Sequence, residues 1–209
     1  MKNTTELLDK GWELPLMEAF YSLQGEGFHT GKAAYFLRIG GCDVGCNFCD
    51  VKEAWNAKIH PLTKVDDMIK EILPTKANTV VVTGGEPCLY NLNYLCESLK
   101  RYGLLTHIET SGSAPLSGVW DWICFSPKNG TDIHPEFYER ADELKVIIET
   151  SADFVWAEYN AAKIRPTCQR YLQPEWSRFE AITPLIVDYI LKHPLWKISL
   201  QSHKYMKIP

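Results

Sequence analysis

Three cysteines fall within eight residues in the run Gly41-Cys42-Asp43-Val44-Gly45-Cys46-Asn47-Phe48-Cys49-Asp50. Thiolates separated by three and then two residues converge readily in a loop, and converging thiolates hold iron–sulfur clusters or zinc. A cubane cluster normally takes four cysteines, so three would leave one iron open to a small molecule. Gly40, Gly41 and Gly45 let the chain wrap closely around such a group. The competing reading is a structural zinc knuckle with His29 or His60 as fourth ligand. Structural zinc usually brings a second matched ligand pair, and this sequence has none. Cys88, Cys96, Cys124 and Cys168 are too dispersed for a second cluster and read as small buried apolar residues. An odd total of seven, with no signal-peptide pattern in the first residues, points to a reducing, cytoplasmic compartment.

Other residues suited to chemistry lie outside this run. Gly84-Gly85-Glu86-Pro87 combines glycines that permit close backbone approach with a carboxylate able to accept from an ammonium. Taken alone, such a tetrapeptide is an ordinary turn. The same holds elsewhere: residues 24–27 read as a flexible turn, Arg38 as an ion-pair partner and Lys128 as a solvated lysine. Asp50 alone reads as a helix N-cap, and His203 as a structural histidine.

These residues need a frame. Short β-branched runs at residues 34–39, 79–83, 105–109, 122–125, 144–148, 170–172 and 197–200 read as strands. Between several of them, residues 66–73, 91–101, 152–163 and 177–191 have helical period, the last with an expected kink at Thr183-Pro184. Residues 80–82 and 145–148 read as buried strands, apolar on both faces. Alternation of strands and helices predicts an α/β fold with a mostly parallel sheet. Polar or glycine-rich residues follow four strands directly, at Gly40-Gly41-Cys42, Gly84-Gly85-Glu86, Thr110-Ser111-Gly112 and Ser126-Pro127-Lys128. Ligands of parallel α/β folds bind at those carboxyl ends. The units are too few for a complete eight-fold barrel, so an open, partial barrel is expected, in one domain spanning residues 1–209.

The cysteine spacing, with Phe48 before the last cysteine, and Gly84-Gly85-Glu86-Pro87 after a strand together resemble the two signatures of the radical S-adenosylmethionine (SAM) superfamily. Further runs resemble the 7-carboxy-7-deazaguanine synthase family over residues 20–209. They are Phe20-Tyr21-Ser22-Leu23-Gln24-Gly25-Glu26-Gly27, Phe36-Leu37-Arg38, Ser126-Pro127-Lys128, Leu172-Gln173-Pro174 and the closing Leu200-Gln201-Ser202-His203-Lys204-Tyr205-Met206-Lys207-Ile208-Pro209. The resemblance implies an abbreviated TIM-like barrel of the radical SAM type, a homodimer, and one 4Fe–4S cluster on Cys42, Cys46 and Cys49. It implies SAM contacts at Phe48, Cys49, Asp50, Gly85, Glu86, Ser126, Pro127, Lys128, Gln173, Pro174, Glu175 and Trp176. One-electron cleavage of the sulfonium would then generate a 5′-deoxyadenosyl radical, with no further catalytic residue.

The implied reaction is conversion of 6-carboxy-5,6,7,8-tetrahydropterin to 7-carboxy-7-deazaguanine with loss of ammonia, on the way to queuosine-type bases. The implied electron donor is a flavodoxin or ferredoxin. Arg38 offers a bidentate fork for the substrate carboxylate. Gln24, Glu26, Thr83 and the backbone at Leu23 and Gly25 offer mixed donors and acceptors to the aminopyrimidinone edge. The resemblance adds His203 and the carboxylate of Pro209, which suits an exocyclic amine and a ring N–H. One position departs from the family pattern. A Thr or Ser that helps hold Mg2+ commonly follows the Cys-Asp pair, and here Val51 offers no oxygen, which places magnesium dependence in doubt.

Composition excludes several classes. With 22 basic against 26 acidic side chains the net charge is −4, so no global field favours nucleic acid. Hydrophobic residues make up 45% of the chain, as in folded proteins, and no apolar run suggests a membrane span. Two rivals share the cysteine loop: a glycyl-radical activating enzyme, and a zinc-stabilised binding module without catalysis.

Overall fold

The structure is a computed structural model that describes residues 4–209. A short helix α1 (Thr4–Asp9) leads into β1 (Glu13–Leu23), which is followed by β2 (Ala33–Ile39) and, after the cysteine loop, by β3 (Leu62–Lys64). Then α2 (Val65–Ile72), β4 (Thr79–Gly84), α3 (Asn93–Arg101), β5 (Leu105–Thr110) and β6 (Trp122–Phe125) follow. The second half contains α4 (Glu136–Arg140), β7 (Glu143–Ile148), α5 (Asp153–Ala161), β8 (Gln169–Pro174), α6 (Phe179–Lys192), β9 (Trp196–Ile198) and α7 (Ser202–Met206).

All nine strands form one open sheet in the order β3-β1-β2-β4-β5-β6-β7-β8-β9. From β2 to β9 every neighbouring pair is parallel, whereas β1 runs antiparallel to both β2 and β3. This is the expected partial barrel, and the seven strands read from sequence are all present. Val80, Val81 and Val82 are buried on both faces, as the apolar run required. Strand β7 is buried but apolar on one face only, because Glu143 and Lys145 lie on the other, Lys145 with carboxylate partners at hand. Helix α2 turns Val65, Met68, Ile69 and Ile72 inward, the spacing of one helical face, with Asp66 and Asp67 in its first turn beside the positive end of the dipole.

Two strands were not legible. The eleven residues of β1 include Pro15, Glu18 and Ala19 and no β-branched residue, so local propensity gives only the weak strand signal of Phe20 and Tyr21. Tertiary pairing imposes the strand: Pro15 sits opposite Leu62 in the short pairing with β3, and the register with β2 shifts between Leu16 and Glu18. The three residues of β3 are too short to carry a pattern. Helix α6 runs through Pro184 without ending there, with Thr183 Oγ1 donating to Phe179 O at 2.6 Å.

The main core fills the space between the sheet and its helices, with Leu37, Ile39, Val80, Val82, Ile108, Phe125, Leu144 and Phe137 fully or nearly buried. A second, small apolar cluster of Ala34, Phe36 and Val81, with Phe20 against it, is separate from that core. Side chains alternate along a strand, so Phe36 and Val81 point away from the helices, toward the same interior as His107, Glu109, Glu143 and Lys145. That interior is therefore partly apolar and partly ionic. No helix among the described residues is long and apolar enough to cross a membrane.

Candidate functional site

The carboxyl ends of the parallel strands open onto one cavity of about 470 Å3, within the range of small-molecule sites. Its wall takes residues from every strand end between β1 and β8, and from the segment after β9. Of the residues singled out in the sequence, Leu23, Gln24, Gly25, Glu26, Arg38, Cys42, Cys46, Phe48, Cys49, Asp50, Val51 and Thr83 line it. So do Gly85, Glu86, Ser126, Lys128, Gln173, Pro174, Glu175, Trp176, His203 and Pro209. Pro127 does not; it faces away, and its carbonyl accepts from Trp156 Nε1 at 3.3 Å.

The cysteine loop is fastened to the loop after β4. Gly85 N donates to Ile39 O and Glu86 N to Gly41 O, at 2.8 and 2.7 Å. A Cβ on Gly85 would lie 2.1 Å from Gly41 O, so only glycine lets the two loops touch. The three thiols face one another closely enough to interact. Burial raises the Cys46 thiol above its ordinary pKa, with Lys128 pulling it down and Cys49 and Cys42 pushing it up. Lys128 is itself buried, which lowers its pKa, and its Nζ donates to Ser126 O and Oγ, both at 2.6 Å.

Glu86, 1% exposed, is a junction rather than an open acceptor. Its Oε1 accepts from Cys88 N at 3.0 Å and Thr110 Oγ1 at 2.6 Å; its Oε2 accepts from Ser111 N at 2.8 Å and Ser111 Oγ at 2.5 Å. Four donors fill the four lone-pair positions of a carboxylate. An ammonium arriving at this carboxylate would meet four donors already in place, which tie the ends of β4 and β5 together.

The floor of the cavity is ionic. Lys145, from the middle of β7, donates to Glu26 Oε2 and, at 3.3 Å, to Glu109 Oε2. Gln24 Nε2 donates to Glu109 Oε1 at 2.8 Å, and Gln201 Nε2 to Glu26 Oε1 at 2.9 Å and Asp50 Oδ2 at 3.1 Å. Burial opposes ionisation of Glu26, but Lys145, Gln201 and His203 outweigh it and hold the carboxyl well below its usual range. Burial likewise opposes the Lys145 charge, and the surrounding carboxylates of Glu109, Glu26 and Glu143 reverse the effect. Burial also raises the Asp50 carboxyl; Lys204 and Gln201 overcome that and bring it down. Arg38 lines the apolar side of the cavity beside Phe20, its Nε 2.5 Å from Glu18 Oε1.

The chain's last segment closes the site against the residues after β1. Gly27 N donates to Ser199 Oγ, and Ser202 N to Gly25 O, both at 2.9 Å. His203 packs on Gly25 so closely that a Cβ there would lie 2.1 Å from its Nδ1. Burial holds the His203 imidazole below its ordinary pKa despite nearby Glu26. Pro209 O accepts from Ser22 Oγ at 3.3 Å, so residues 206–209 are folded back onto β1 rather than frayed. The turn after β9 becomes α7, a helix the sequence did not announce.

Known proteins match this arrangement. The family model of the Radical SAM superfamily matches residues 37–155. The chain is 55% identical over 202 residues to the 7-carboxy-7-deazaguanine synthase of Flavobacterium psychrophilum, covering 97% of this chain and 96% of that one. The chain belongs to the 7-carboxy-7-deazaguanine synthase family of radical SAM enzymes. The Synechocystis sp. member of that family is 47% identical over 194 residues, with 93% of each chain covered. The crystal structure of QueE from Escherichia coli matches with a TM-score of 0.83 at 29% identity, covering 97% of this chain and 100% of that one.

Radical SAM membership implies a 4Fe–4S cluster and SAM, and the donor set fits them. Cys42, Cys46 and Cys49 all line the cavity, and Cys42 and Cys49 lie close enough to Cys46 to raise its pKa, so the three thiols share one side of the site. A cluster that offers each cysteine its own iron suits three neighbouring thiols on one loop. Both histidines of the zinc reading are otherwise engaged: His29 packs on His107 and Trp122, and a ring nitrogen of His60 bonds Glu53 O at 2.8 Å.

Sequence reasoning missed Glu109 and Lys145 in the cavity lining, and gave no role to Gln201 and Lys204, which stood only within the closing run. One signal was available. Glu143 and Lys145 alternate on one face of an otherwise apolar strand, as do His107 and Glu109 on β5, and charges two apart in a buried strand share a destination.

Proposed function

We propose that the chain converts 6-carboxy-5,6,7,8-tetrahydropterin to 7-carboxy-7-deazaguanine with release of ammonia, in queuosine and related deazapurine biosynthesis. The observation that carries this reading is that one cavity unites the cysteine loop with Gln24, Glu26, Arg38 and His203 from the opposite rim. Family membership supplies the reaction. A protein-activating enzyme would need an open docking surface, whereas here the tail folds over the rim.

In this reading residues 1–209 act as one domain, and Cys42, Cys46 and Cys49 hold the cluster. With the cluster and SAM bound there, one-electron reduction would supply a 5′-deoxyadenosyl radical. The chain's own residues bind, orient and exclude water. Gly85 and Glu86 would lie against the methionine end of SAM, where the backbone carbonyls of Gly84 and Gly85 offer the ammonium acceptors that supplement the heavily bonded Glu86 carboxylate. Phe48, Asp50, Ser126, Lys128 and residues 173–176 form the rest of the SAM wall. The buried Lys128 charge beside Cys46 offsets part of the thiolate charge. Arg38 takes the substrate carboxylate, and the Gln24–Glu26 loop, Thr83, His203 and Pro209 read the pterin edge.

A flavodoxin- or ferredoxin-type protein donates the electron, the enzyme works as a cytoplasmic homodimer, and nucleic acid and membranes are not partners. Anaerobic purification with iron and sulfide analysis, followed by turnover of 6-carboxytetrahydropterin, tests the reading. We expect four irons per chain for a cubane and a product with the deazapurine spectrum. Zinc without sulfide, or SAM cleavage that the pterin never affects, would overturn it.

A further inference from the structure

One cation in the cavity has no task in the reading above. Lys145 is divided between Glu26 and Glu109, Lys128 is held on Ser126, and Arg38 faces Glu18. Lys204, on α7, reaches across to the cysteine loop and places Nζ 2.7 Å from Asp50 Oδ2. The same ammonium lies 4.8 Å from the centroid of the Trp176 ring, a favourable cation–π position. Its side chain is 19% exposed. Two contacts, to the cysteine loop and to the segment after β8, fix a long side chain that would otherwise be mobile, so its charge is set in place before any ligand arrives. An ammonium has three donors, and Asp50 takes one of them. The other groups facing this pair are Gln201, which donates to Asp50 Oδ2, and Glu26 and His203 beyond it.

Magnesium does not fit here. It demands hard oxygen ligands at about 2.0–2.1 Å in near-octahedral array. Val51 contributes no oxygen, and Asp50 Oδ2 already accepts two N–H donors, one on a full positive charge. A divalent ion on the same carboxylate would face that ammonium directly.

We propose that Lys204 supplies the fixed positive charge beside Asp50 that receives one oxygen of the substrate carboxylate, the other being taken by Arg38, so that this chain binds its carboxylated pterin without Mg2+. The proposal rests on the substrate reading above and concerns how that site is charged. Swapping a diffusible divalent ion for a tethered ammonium makes occupancy of the position independent of metal supply.

The test uses the cluster-loaded enzyme passed over a chelating resin, in wild-type, Lys204→Ala, Lys204→Arg, Val51→Thr and Val51→Thr/Lys204→Ala forms. Wild-type turnover is expected to change by less than about twofold on adding millimolar Mg2+. Lys204→Ala is expected to raise KM for the pterin by roughly ten- to a hundredfold, the worth of one charge-assisted hydrogen bond, with Lys204→Arg recovering most of it. Iron and sulfide content serves as the folding control. A merely structural lysine would lower cluster content or stability without a KM effect rescued by arginine. Mn2+, observed by its electron paramagnetic resonance signal, gives a readout that needs no turnover. Wild type and Val51→Thr should not bind it, since Lys204 still holds Asp50, and the double variant should. Strong Mg2+ stimulation of wild type, Mn2+ binding by wild type, or an unchanged KM in Lys204→Ala would each overturn the proposal. Absence of pterin turnover in every form, with the Mn2+ pattern as expected, would instead overturn the substrate reading and support the exclusion of the divalent ion.

Discussion

Replacing Lys145 with methionine keeps the volume of the side chain and removes its charge. The lysine lies 3.3 Å from Glu109 Oε2 and closer to Glu26, and is 4% exposed. At an effective dielectric of about 20, one such pair carries about 5 kcal/mol of Coulomb attraction, much of it spent on desolvating the charges. In Lys145→Met the two carboxylates face each other across the floor, and their easiest relief is a proton. Neutralising one glutamate of ordinary pKa at pH 7 costs about 3.5 kcal/mol, which agrees with the loss of about 3–5 kcal/mol typical of breaking a buried pair. The variant should therefore melt roughly 6–20 °C lower at pH 7.

The pH dependence has a definite sign. In wild type Glu26 is depressed, so its contribution to stability is fully present above roughly pH 4.3, the unfolded pKa, and is lost as pH falls through the folded one. In the variant a glutamate is raised above its unfolded pKa, and folding takes up a proton. The deficit should then shrink by about 1.4 kcal/mol per pH unit as pH falls from 7 toward 5. Urea unfolding followed by tryptophan fluorescence at three pH values measures it, and adding Glu26→Gln to Lys145→Met should restore part of the loss. A deficit below about 1 kcal/mol, or one that grows on acidification, would refute the assignment of this trio as a buried ionic floor.

Further expectations concern the rest of the site. Cys42→Ala, Cys46→Ala and Cys49→Ala should each lose cubane absorbance and SAM cleavage, while Cys88→Ala and Cys168→Ala should keep the absorbance, because those two thiols are buried apart from the loop. Glu86→Gln should cost about 1–3 kcal/mol in urea unfolding. The hydroxyls of Thr110 and Ser111 can turn to accept, but whichever way the amide sits, Cys88 N or Ser111 N loses its acceptor. A short neutral extension after Pro209 should preserve iron and sulfide content and sharply reduce pterin turnover; unchanged turnover would remove Pro209 from the substrate wall.

The central strands were legible because parallel strands buried on both faces must be apolar runs, and Val80-Val81-Val82 is one. The cysteine loop was legible because ligand spacing is local. Lys145 was not, since its partners lie 119 and 36 residues away and nothing beside it in the chain names them. Glu86 shows a subtler limit. Its place in the tetrapeptide marked it for the site, but only the positions of Thr110 and Ser111 reveal that its oxygens are occupied. Strand β1 escaped notice because its conformation is dictated by β2 and β3 rather than by its own residues.

The seam between the chain's two ends imposes an order of assembly. The hydrogen bonds Gly27–Ser199 and Gly25–Ser202 join residues 172 and 177 positions apart, whereas successive parallel strands close far shorter loops. Long-range contacts pay their closure entropy up front, so those that depend on a finished sheet form after it. Contact separation therefore favours a strand rim that forms before its tail wall, with the cysteine loop open to solvent until residues 199–209 dock. Slow docking of that tail, with the sheet already formed, is the stage at which this fold is most exposed, and a hydrogen-exchange experiment would find its least protected native segment at the end of the chain.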